Sequence, residues 1–229
     1  VAKSCGACAV RTTAICSVLD DGTLAGLAAH GLQRRLARGE TLERRGDAAQ
    51  VCANLQSGLM KIASVNAEGD ESIVGLAGPG DLIGQPFGGT VEHDLVALTD
   101  VTLCVFPQAP FAAAMAGNPA MGALLLRRMI DDLATARRWL VRLGRASAVA
   151  RVAGLIADIA ARLPGAKPGA GFDLPLSRGE IADLLGLTIE TVSRQMTRLR
   201  AAGVIDLPGG RGIAIRDADA LAIAAEARV

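Results

Sequence analysis

The spacing of glycines and apolar residues changes once along this chain, and the change limits which fold each half can adopt. From about residue 30 to 107 glycines recur every 7–12 residues, at Gly39, Gly46, Gly58, Gly69 and Gly80. Between and beyond them lie short β-rich runs at 51–56, 59–65, 71–76, 95–99 and 101–106. Short strands at that interval predict an antiparallel sandwich or barrel-like roll. Gly46-Asp47 and Gly69-Asp70 read as hairpin turns, because glycine tolerates positive φ. Past Pro107 and Pro110 the period becomes helical. Leu126, Met129, Leu133, Ala136, Leu140 and Leu143 alternate in steps of three and four, the a and d positions of a heptad. Asp132 then falls at g and Arg137 at e, where a parallel dimer would bring opposite charges together. A helix packed on its own domain gives the same pattern over three heptads. Its place between two other regions favours a dimer seam.

A further helix is expected over 148–163, ended by Pro164, then a loop at 164–171 and an extended segment at 172–176. Ser177-Arg178-Gly179-Glu180 is a capping box, with Ser177 as N-cap and Glu180 reaching back. The helix it opens runs through Leu185 to a turn at Gly186. Small Ala182 allows a second helix to cross closely, and Ile181, Leu185, Leu187 and Val192 supply the apolar seam. Thr188 is positioned to cap that second helix. Its first turns put Glu190, Ser193, Arg194 and Thr197 on one face. Such a helix lies in the DNA major groove, where Arg grips guanine O6 and N7 and Glu accepts from cytosine N4. Arg198 and Arg200 suit phosphates. Strands at 204–207 and 212–215, joined by Pro208-Gly209-Gly210-Arg211, read as a wing with Arg211 near the DNA backbone.

Net charge is only +1, so DNA affinity must come from local basic residues rather than a global field. With no Tyr, one Trp and four Phe, the chain lacks the stacking platforms of single-strand binders, which leaves duplex DNA. No apolar run reaches membrane length and the first residues lack a secretory core, so the expected location is the cytoplasm. In that reducing compartment the five cysteines point to metal or redox chemistry rather than disulfides. Nothing pairs as a catalytic acid and base, so no enzyme is expected.

Cys5, Cys8 and Cys16 form C-x2-C-x7-C, a thiolate grip for zinc, copper(I) or an iron–sulfur cluster. A closed site needs a fourth ligand. Cys52 and Cys104 both lie in β runs, and spacing does not choose between them or between zinc and a cluster. Since Val101, Leu103 and Val105 share one strand face, Cys104 takes the other.

These residues together resemble the Crp/Fnr superfamily of transcriptional regulators, and more narrowly its oxygen-sensing FNR branch. Gly58 after Gln56-Ser57, Lys61, Gly69-Asp70-Glu71 and Gly80-Asp81-Leu82-Ile83-Gly84 are similar to the family's sensor roll. Leu187-Thr188-Ile189-Glu190-Thr191-Val192-Ser193-Arg194 resembles its recognition helix. The resemblance implies an α+β fold: an N-terminal antiparallel β-roll of the cyclic-nucleotide-binding type, a long dimerisation helix and a C-terminal winged helix-turn-helix. The implied segments are a cysteine-rich 1–20, the roll at 21–118, the dimerisation helix at 119–146 and the DNA-binding domain at 147–229. It implies a [4Fe–4S] cluster on Cys5, Cys8, Cys16 and Cys104, with Cys52 a core thiol. It further implies a homodimer on inverted repeats with half-sites like TTGAC or TTGAT, and contact with RNA polymerase through loops around 87–94. A structural zinc or a thiol redox sensor is the alternative to the cluster. Cyclic nucleotide is not expected, because 84–93 contains no Arg to pair with a buried phosphate. His30 and His93 are expected in exposed loops rather than as haem ligands.

Overall fold

In a computed structural model, which describes residues 5–66, 68–69, 71–163 and 171–227, the glycine-punctuated half forms two four-stranded antiparallel sheets. The strands are β1 (Leu32–Leu36), β2 (Thr41–Glu43), β3 (Val51–Ser57), β4 (Met60–Val65), β5 (Glu71–Ala77), β6 (Leu82–Gly84), β7 (Asp94–Ala97) and β8 (Val101–Pro107). One sheet runs β1-β8-β3-β6 and the other β2-β7-β4-β5. Period-two alternation sends Ala53, Leu55, Leu103 and Val105 inward to meet Met60, Leu95 and Ala97 in one core. Burying each such Leu contributes roughly 1.5–3 kcal/mol. The opposite face of β3 and β8 carries Cys52, Asn54, Gln56, Cys104 and Phe106. This face is covered by the N-terminal segment, by α1 (Asp21–His30) and α2 (Gln108–Gly117), and by the first turns of α3 (Pro119–Arg145). Val10, Ala14, Ile15, Phe106, Phe111, Met121 and Leu125 build this second core.

Gly58 stands between β3 and β4 at φ 85°, and a Cβ there would lie 2.4 Å from the Asp100 carbonyl, so only glycine fits. Gly46 also has positive φ, but Gly46-Asp47 is not a hairpin turn: β2 pairs with β7 in one sheet while β3 belongs to the other. β4 and β5 do pair, with Gly69 at φ 92° between them; Asp70 lies outside the described residues.

The chain divides into two compact units, Val1–Leu133 and Ala134–Val229, and the division falls inside α3. In the second unit α4 (Ala148–Arg162) is capped by Ser147 and buries Val152, Leu155, Ile156 and Ile159 against α6 (Ile189–Ala201) and α7 (Ala218–Ala225). A three-stranded sheet, ordered β10-β11-β9, joins β9 (Gly171–Asp173), β10 (Ile205–Gly209) and β11 (Gly212–Ile215). β9 is shorter than the extended segment expected at 172–176. Of the loop expected at 164–171, residues 164–170 lie outside the described residues. No single described helix is long and apolar enough to cross a membrane. The α2–α3 pair passes that test only when joined across its bend, and its Phe111, Met121 and Leu125 are used in the second core.

Candidate DNA interface and cysteine cavity

Ser177 Oγ accepts from the Glu180 amide at 3.2 Å, while Glu180 Oε2 accepts from the Ser177 amide at 2.7 Å. This completes the capping box that opens α5 (Arg178–Leu185). Gly186 ends α5 in the left-handed region, at φ 59°, and Arg151 on α4 donates to the Leu185 carbonyl at 3.2 Å. Thr188 caps α6, accepting from the Thr191 amide at 3.2 Å. Ile181, Ala182, Leu185 and Val192 are buried between the helices, and Leu187 is half-buried. Glu190, Ser193, Arg194, Thr197, Arg198 and Arg200 are all exposed. Arg194 Nη2 donates to Thr191 Oγ1 at 3.2 Å, which steadies the guanidinium along the helix. Glu190 is held below the usual carboxylate range by its own amide and by the Thr188 hydroxyl. The hydroxyls of Thr188 and Thr197 are partly occupied within the helix, the second donating to the Ser193 carbonyl at 3.0 Å. Arg211 is exposed at the tip of the β10–β11 hairpin, whose strands are also tied by Arg216 and Asp206 at 2.8 Å.

Along α3 the a and d residues leave an apolar stripe open. Leu126, Met129, Leu133, Ala136 and Leu140 are exposed, reaching 70% at Leu140, and Leu143 is half-buried. Ile130, which the heptad pattern omits, is also exposed and widens the stripe at an e position. The far end of α3 is tied to α4 by Arg142, which pairs with Asp158 at 2.6 Å and lies over the Trp139 ring.

Cys5, Cys8 and Cys16 come together with Cys104 of β8 around one cavity of about 560 Å³. The segment that carries them is wound by tight turns, with short helical pieces at Cys5–Ala7 and Ile15–Val18. Arg11 holds it closed, donating to the carbonyls of Cys16 at 2.6 Å and Leu19 at 3.2 Å. Burial pushes the Cys104 thiol up to about 12, and neighbouring Cys5, Cys16 and Cys8 push in the same direction. Cys16 is also raised by burial, against the opposing charge of Arg11. Cys52 lies buried on the same sheet face without lining the cavity; burial and then Glu43 raise it to about 12. As placed, no three Cys, His, Asp or Glu groups among the described residues are close enough to hold a metal ion. The four thiols share a cavity rather than a coordination sphere. As a donor set, four cysteine sulfurs suit a soft metal or an iron–sulfur cluster.

Sequence patterns gave no sign of Arg128. On α3, between Leu126 and Met129, it donates to the Gly80 carbonyl at 2.7 Å and to the carbonyl of Thr13, between Cys8 and Cys16. It ties the cysteine segment directly to the stripe-bearing helix.

Comparison with known proteins gives a concordant picture. The cyclic nucleotide-binding domain family matches residues 33–118, and the Crp-like helix-turn-helix domain family matches residues 150–223. The transcriptional activator protein FnrL of Cereibacter sphaeroides is 38% identical over 93% of this chain and 88% of its own length. The nitrogen fixation regulation protein FixK of Bradyrhizobium diazoefficiens is 37% identical over 93% of this chain and 90% of its own. The solved structure of FixK2 from Bradyrhizobium japonicum superposes with a TM-score of 0.78 at 25% identity, covering 87% of this chain and 99% of that one.

Proposed function

This chain belongs to the Crp/Fnr family of DNA-binding transcriptional regulators, and from that membership we propose that it responds to oxygen through a [4Fe–4S] cluster on Cys5, Cys8, Cys16 and Cys104. The observation that carries this reading is that four cysteines from two distant stretches of chain line one cavity. When bound, the cluster supplies oxygen-sensitive chemistry that thiols alone lack.

The protein's own residues transmit the signal. Ligation fastens the cysteine segment, whose Thr13 carbonyl accepts from Arg128 on α3. A fastened segment therefore favours one setting of the helix that carries Leu126, Met129, Leu133, Ala136, Leu140 and Leu143. In the homodimer these residues meet their copies, with Asp132 across from Arg137. No like charge holds cluster-free chains apart in this seam, so some dimer persists without the cluster. A two-fold dimer presents both α6 helices to half-sites one helical turn apart, on an inverted repeat such as TTGAC or TTGAT.

Phe87, 78% exposed and followed by Gly88 and Gly89, supports contact of this loop with RNA polymerase, as does FnrL's being an activator. No cyclic nucleotide takes part: 84–93 has no Arg, and buried Lys61 is paired with Glu71.

The test is protein purified without air, assayed for iron and acid-labile sulfide and for operator binding before and after exposure to air. Sulfide with binding that falls in air is expected. A colourless preparation retaining zinc would replace the cluster by a structural metal, and equal affinities in both states refute the switch.

A further inference from the structure

Cys104 stands between two carboxamides. Across the first sheet it is in register with Gln33 on β1 and Asn54 on β3, so the three side chains form a row on the face turned to the cysteine segment. Asn54 is 2% exposed and lines the cavity, and its Oδ1 is sealed from solvent without a hydrogen-bond partner. Gln56, on the same face, donates from Nε2 to Cys8 Sγ at 3.4 Å and accepts from Gln33 Nε2 at 2.9 Å. One carboxamide of this floor is thus bound to a cysteine sulfur, and another is buried with an unmatched atom.

An unmatched buried amide oxygen is unfavourable, and an apolar side chain of similar size would avoid the cost. A half-turn of the amide exchanges its oxygen for the NH2 group and puts two donors in the same place. Those donors need an acceptor, and the cavity that Asn54 lines also holds the sulfurs of Cys5, Cys8, Cys16 and Cys104. Hydrogen bonds to sulfur stabilise thiolates and clusters and set their reactivity.

We propose that Asn54, with Gln56, is a positioning residue of the four-cysteine centre, donating hydrogen bonds to its sulfur and slowing loss of the bound group. The proposal rests on the cluster reading above. Wild type, Asn54→Leu and Gln56→Leu are prepared without air. In each, sulfide content, the decay of visible absorbance in air and the melting temperature of the cluster-free protein are measured. Cluster-free Asn54→Leu is expected to melt at or above the wild-type temperature, because the unmatched oxygen is gone. Its cluster is expected to decay on the order of three- to tenfold faster. Gln56→Leu, at a half-buried position, accelerates decay less. A purely structural Asn54 gives the reverse: a lower melting temperature and an unchanged decay. Equal decay in folded Asn54→Leu and wild type overturns the proposal and leaves the cluster reading intact. Absence of sulfide from the wild type overturns both. If Asn54→Leu does not fold, Gln56→Leu decides, and unchanged decay there overturns the proposal.

Discussion

In the helix-turn-helix Ser177 caps α5, Gly186 turns it, Arg151 takes its last carbonyl and Thr188 caps α6. Around the cysteines, Cys104 is driven up to about 12 by burial and then by three other thiols, and Asn54 Oδ1 is sealed without a partner. Among the described residues of the second unit, Arg178 Nη1 is the one sealed polar side-chain atom without a partner. The difference teaches where each region's order comes from. The DNA-reading helices are closed by side-chain caps of their own and by Arg151 of α4. The cysteine region is closed by Arg11 and Arg128, but burial there disfavours the ionised forms of Cys104 and Cys16, so its geometry answers to whatever draws those two thiols into that form.

The contrast breaks first at the cysteines. Cys104→Ser is expected to abolish iron and sulfide binding and to cut operator affinity in the absence of air by on the order of tenfold or more. Cys52→Ala should keep its iron, because Cys52 does not line the cavity. Iron kept in Cys104→Ser but lost from Cys52→Ala would show that the cavity assigns the wrong fourth thiol. The DNA side should respond independently. Arg194→Ala is expected to cost about 1–3 kcal/mol of operator binding and to relax preference at one base pair, with iron content unchanged. Unchanged specificity would mean that another face of α6 reads the bases.

Much of the helix-turn-helix and of α3 was legible because the signals there are local. Ser177 and Glu180 are three residues apart, Gly186 follows at the helix end, and the Leu126–Leu143 stripe repeats within one helix. The roll was legible in outline, through glycine spacing, but not in detail. Strand β1 escaped notice because only Leu36 of its five residues is buried, so no alternation marks it. The turn at Gly46 read as a hairpin because nothing local reveals that β2 and β3 join different sheets. The cysteine cavity was half visible. Three ligand candidates lie close in sequence, but the floor of Gln33, Asn54 and Gln56 exists only through strand register. Arg128 reaches a carbonyl 115 residues away, and no spacing rule points to such a partner.

That long-range bond allows the two regions to be uncoupled without removing either. Arg128→Leu leaves every cysteine and every DNA-facing side chain in place. It is expected to keep its iron and its affinity for DNA in air, while the gain in affinity on cluster loading shrinks by about 0.5–2 kcal/mol. An unchanged gain would mean that the segment reaches α3 through the apolar contacts of Met121 and Leu125 instead.

The smallest effect separates the regions by acid. Hydrogen bonds from Arg216 and the Leu207 amide hold Asp206 in the wing below the usual carboxylate range. A carboxyl with a depressed folded pKa contributes stability above its unfolded value of about 3.9, lost as pH falls through the folded value. The Asp206→Asn variant should therefore melt slightly below wild type at pH 6 and converge with it as pH falls through the folded value. The pair is exposed, so the gap at pH 6 should also narrow in high salt. The thiols run the other way. Cys104 has a raised folded pKa, so its contribution in the cluster-free protein is complete below about pH 8.5 and is lost as pH climbs towards 12. Acid thus tests the wing through this variant, and alkali tests the buried thiols, Cys52 as well as Cys104. A cluster-free protein whose stability fell only on the acid side would show that the fold does not hold Cys52 and Cys104 protonated.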